Sequence, residues 1–155
     1  MPSLSGWVQP TARPTVDHAR DALGGRTTSG PRVGWGVVVD DPRHGLSPGV
    51  ILHDGGDELD AWIGEGLIAR VKLALVAGSL TSTPPERFAE VAKEILRFAS
   101  LREGQEVDVL GPGPAFRAVL REQCRYGGLV ERADDVRSPR PVLAIGFRRL
   151  APLNR

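Results

Sequence analysis

One stretch of the chain carries a helix's start, its buried face and its stop together, and it limits what the remainder can be. Thr83-Pro84-Pro85-Glu86 combines a capping residue, a proline at the first helical position and the returning glutamate of a capping box. Phe88, Val91, Ala92, Ile95, Leu96 and Ala99 then recur at helical spacing as one apolar stripe, and Gly104 closes the region. A helix with one apolar stripe needs an apolar surface to lie on, and the segments around it read as strands that supply one.

Val33 to Val39 (VGWGVVV) predicts a first strand, ended by Asp40-Asp41-Pro42, and Val50 to Leu52 a short second one. From Leu67 to Val76 the residues alternate, with Leu67, Ala69, Val71, Leu73 and Leu75 on one side and Arg70 and Lys72 on the other. Period two argues strand, with a continuing helix as the alternative. Val107 to Leu110 and Val142 to Phe147 predict two further strands.

Helices are expected between them. Thr15 can cap one bearing Val16, Ala19 and Leu23, stopped by Gly24–Gly25. Asp57 can cap a second through Leu59, Trp62 and Ile63. Gly111-Pro112-Gly113-Pro114 turns into a third, bearing Phe116, Val119 and Leu120 and stopped by Gly127–Gly128. The alternation predicts an α/β protein: a mixed or mainly parallel sheet of about four to five strands with helices packed on it. The long polar connection from Glu131 to Pro141 leaves an antiparallel last strand open. Residues 1–32 read as an N-terminal arm with a short helix, 33–150 as the α/β domain and 151–155 as a tail.

With 155 residues, 41% of them apolar, the chain has the size and composition of one globular domain. No apolar run reaches the length a membrane span needs, and Met1 to Pro10 lacks the pattern of a secretory signal. A single cysteine, Cys124, excludes an intrachain disulfide and suits a reducing compartment, so a cytoplasmic location is expected. With 20 basic against 19 acidic residues, nucleic acid is not an expected partner. The charges are segregated: Val50 to Glu65 holds five acids and no Lys or Arg, and Arg117 to Arg155 holds nine arginines against four acids. Eighteen of the 20 basic residues are arginine. That preference reads either as a base-composition bias of bacterial type or as an arginine-rich face for a partner.

If the strands are parallel, their carboxyl ends gather Asp40–Asp41, the His53–Glu58 segment, Ser79 to Ser82 and Gly111 to Pro114 at one rim. His53, Asp54, Asp57 and Glu58 are candidate ligand-binding residues, either holding a divalent cation through imidazole and carboxylate or forming a polar turn and helix N-cap. Gly111 and Gly113 are candidates for cradling a phosphate at a helix N-terminus, or form a tight structural turn. Cys124, between Arg121 and Arg125, reads as a semi-buried structural thiol. Trp7, Trp35 and Trp62 read as packing anchors, and His18 and His44 receive no role.

Three short resemblances stop at a few residues. Gly55-Gly56-Asp57-Glu58 resembles the signature of diguanylate cyclases, which sits deep inside a larger domain. Leu52-His53-Asp54 resembles a motif of polysaccharide deacetylases, whose other metal-binding motifs are missing here. The Cys124 segment resembles the cysteine loop of caspase-type proteases, without their upstream histidine–glycine pair. None covers enough of the chain to imply a family. The expected function is a non-catalytic interaction or adaptor module, or a subunit of a larger assembly, with a protein partner or a second copy. The alternative is a small metal- or phosphate-dependent hydrolase or nucleotide-binding α/β protein using Asp40, Asp41, His53, Asp54 and Asp57. No particular cofactor is implied.

Overall fold

The computed structural model describes residues 12–64 and 66–153, and side chains from residue 16 onward. Trp7, Glu65 and Arg155 lie outside the described residues, as does the side chain of Thr15. The chain divides into two compact units, Thr27–Leu101 and the pairing of Met1–Arg26 with Arg102–Arg155.

The unit Thr27–Leu101 is built on a four-stranded meander: β1 (Gly36–Asp41), β2 (Gly45–Asp54), β3 (Glu58–Gly64) and β4 (Leu67–Lys72), in that spatial order. All three pairings are antiparallel. One sheet face buries Val37, Val39, Ile51, Leu59, Ala61 and Ile63, with Trp35, Ala69, Val71, Leu73, Val76 and Leu80 packed against them. The helix α2 (Ala89–Ala99) lies against β2.

The second unit carries a five-stranded antiparallel sheet. Its strands are β5 (Glu106–Val109), β6 (Phe116–Gln123), β7 (Gly127–Arg132), β8 (Leu143–Gly146) and β9 (Leu150–Pro152), in the order β8-β7-β6-β5-β9. The helix α1 (Ala12–Ala22) lies against β8, and Leu23 joins Cys124 and Leu129 in a core cluster with Val16, Ala19 and Val142. Gly24 and Gly25 stop α1 as expected, with φ of 82° and 83°. Their N–H groups donate to Asp21 and Arg20 carbonyls at 3.0 Å, the paired bonds of a Schellman ending.

The α/β expectation is overturned: among the described residues there are nine strands in two antiparallel sheets and two short helices. A parallel pair needs a crossover of a dozen or so residues, whereas the links between β1 and β2, β2 and β3, and β6 and β7 are hairpin turns. The helix expected from Asp57 is β3 instead. Asp-Gly-Gly-Asp serves a hairpin as readily as a helix cap, and Leu59, Ala61, Trp62 and Ile63 are all buried, which erases the period that would show a strand. The helix expected after Pro114 is β6, where the alternation of Ala118 and Leu120 inward with Arg117 and Arg121 outward overrides the helix preference of its residues.

Gly127 and Gly128 begin β7 rather than stop a helix. A Cβ on Gly127 would stand 2.1 Å from the Ile145 carbonyl oxygen, and one on Gly128 would stand 2.5 Å from Leu120 Cδ1, so strand packing requires glycine at both. Helix α1 begins at Ala12, before Thr15. Helix α2 forms without its capping box: a 3-10 turn over Glu86–Phe88 precedes it, and the Thr81 hydroxyl donates to the Thr83 carbonyl. Its buried face is Val91, Ala92, Ile95 and Phe98, leaving Leu96 and Ala99 outside. No helix of the described residues is long and apolar enough to cross a membrane.

Candidate functional site

The hairpin between β2 and β3 holds His53, Asp54, Asp57 and Glu58, and it divides them. Gly56 turns the chain with φ of 87°, and Gly55 N–H donates to the Glu58 carbonyl at 2.9 Å. Asp57 and Glu58 stand at the exposed tip, while His53 and Asp54 are buried.

Asp54 is saturated. Its Oδ2 accepts from the Arg32 backbone N–H at 2.9 Å and from Arg32 Nε at 3.0 Å. Its Oδ1 accepts from Arg32 Nη2 at 2.9 Å and from Gly56 N–H at 3.0 Å. The Arg32 guanidinium and these backbone donors hold the carboxyl down at about 2 against the opposing effect of burial. Asp54 N–H donates to Ser29 Oγ at 3.0 Å, and Gly30 N–H donates to the Asp54 carbonyl at 2.7 Å. These bonds clasp residues 29–32 onto the end of β2. A Cβ on Gly30 would stand 2.9 Å from Asp54 Oδ2, so the clasp closes only over glycine.

Across the β2–β3 pair, His53 lies opposite Asp60. Its Nδ1 is 3.5 Å from Asp60 Oδ2, and Arg70 Nε on β4 donates to Asp60 Oδ1 at 3.1 Å. A carboxylate on Nδ1 and a cation behind the carboxylate is an arrangement that orients an imidazole. His53 and Asp60 are only 3% and 1% exposed, so here the array joins three strands within the packed sheet.

The other expected site residues are not gathered at this place. Because β1 and β2 are antiparallel, Asp40 pairs with Leu46 and lies on the order of 25 Å along β2 from Asp54. Asp41 caps its own turn, accepting from Arg43 N–H at 3.2 Å and contacting His44 Nδ1, and the His44 ring pulls its carboxyl below the usual range. Gly111 and Gly113 belong to the other unit, in the exposed link between β5 and β6. A strand follows them, so the expected helix N-terminus for a phosphate is not formed. Cys124 follows a strand rather than a helix and is buried in the α1 core cluster, where burial pushes its thiol upward. Among the described residues, no three or more His, Cys, Asp or Glu form a group that could hold a metal ion.

Near Phe116 an open depression of about 600 Å³ is lined in part by Asp108, Arg117, Arg132 and Asp134. Arg132 stacks 4.1 Å over the Phe116 ring and pairs with Asp134 at 3.0 Å. With two cations and two carboxylates, it has no charge excess to select an ion.

Sheet edges set the remaining functional geometry. On β1, Gly36 exchanges two backbone hydrogen bonds with Thr81, and the Val38 carbonyl accepts from Ala77, so residues 77–81 cover that edge. On the five-stranded sheet, α1 lies along β8, and β9 is three residues ending at Pro152. Among the described residues β4 pairs only with β3, comes close to β1, and carries Arg70 and Lys72 among its six residues. Leu67 and Ile68 are 42% and 36% exposed there, followed by Leu75 at 67%. The alternation expected over 67–76 holds as a strand only to Lys72, because Leu73–Leu75 form a 3-10 turn, and nothing local in the sequence marks β4 as an edge. The sequence matches no family model, and no curated protein matches it.

Proposed function

We propose that this chain is a non-catalytic interaction module that docks a partner along β4. One observation carries this reading: among the described residues β4 pairs only with β3 and bears the exposed Leu67 and Ile68, whereas the other edges are covered, flanked or cut short. An uncovered edge presents unpaired backbone donors and acceptors, and natural proteins protect such edges unless another strand uses them. Strand addition supplies affinity through main-chain hydrogen bonds and specificity through alternate side chains. The enzyme alternative has no comparable support, since Asp54 is saturated by Arg32 and Gly56 and the Asp40–Asp41 pair stands at the opposite end of the sheet.

The test is the mass of the native assembly. The tagged chain, expressed in its own cells and sized by chromatography with light scattering, is expected in a complex heavier than its 16.6 kDa monomer. Raising salt should shrink that complex, because cations on β4 contribute to docking. Monomer mass at every salt concentration overturns the reading.

A further inference from the structure

We draw no further inference here: the strongest candidate, the β4 edge with its exposed Leu67 and Ile68, belongs to the docking surface already described, and nothing among the described residues shows what covers it.

Discussion

Each unit holds an N-terminal segment in place with one bidentate arginine–carboxylate pair, and the two pairs differ in an instructive way. Arg20 clasps α1 to β6, its Nε and Nη2 donating to Glu122 at 2.7 Å each. Arg32 clasps residues 29–32 to β2, with its Nε and Nη2 at 3.0 and 2.9 Å from Asp54. By distance alone the first pair is the stronger. The surroundings reverse that order. Asp54 has a side chain 2% exposed and receives two backbone N–H bonds besides, whereas Glu122 is 20% exposed and Arg20 also serves Asp17 on its own helix. An interaction near water is screened, and one inside the protein is costly to leave half made.

The largest expected effect follows from removing the buried acid. Asp54→Ala removes the carboxylate that the Arg32 guanidinium and the Gly56 N–H share, leaving the guanidinium only the Gly56 carbonyl, and should cost about 3–5 kcal/mol in urea unfolding. A loss under about 1 kcal/mol would place the two clasps in the same class.

Acid titration comes next. The folded carboxyl of Asp54 sits at about 2, below the ordinary 3.8, so its contribution is present above the ordinary value and is lost as pH falls toward 2. That contribution is roughly 2 kcal/mol. Between pH 5 and pH 2 the wild type should lose stability more steeply than Asp54→Asn, and parallel curves would deny the shift.

Gly30→Ala sharpens the geometric side of the contrast. The added methyl meets Asp54 Oδ2, so a loss of roughly 1–2 kcal/mol is expected in thermal unfolding. An unchanged midpoint would mean that the segment yields without opening the clasp.

Glu122→Ala should cost least, about 1 kcal/mol or below, and the difference from wild type should narrow in high salt. Equal cost for Glu122→Ala and Asp54→Ala would overturn the ordering by burial.

How much was legible differs by element. The face and stop of helix α1 were readable, its stripe of Val16, Ala19 and Leu23 and its Gly24–Gly25 ending both present, but its start lies at Ala12 and not at a Thr15 cap. Strands β1, β4, β5 and β8 were readable from local alternation or short β-rich runs. Strands β3 and β6 were not. Burial on both faces hid the period of β3, and the residues of β6 fit a helical stripe as well as an alternating one. Of the candidate site, His53 and Asp54 stood out as unusual, but Asp60, which faces His53, and Arg32, which holds Asp54, lie 7 and 22 residues away, and Arg70, behind Asp60, lies 17 residues from His53. Asp57 and Glu58, three and four residues beyond Asp54, share none of that burial.

The sequence by itself determined where the chain turns and which short segments are apolar enough to be covered. Glycine, proline and aspartate act through their own backbone geometry, within a few residues. Only the tertiary structure decided what those turns connect. Asp-Gly-Gly-Asp became a hairpin, not a helix start, because β3 found β2 and β4 on either side. The same pairing separated Asp40 from Asp54, joined His53 to Asp60 and, among the described residues, left β4 paired on one side. Strand pairing joins residues distant in sequence, and its register follows from total burial, which no short window contains.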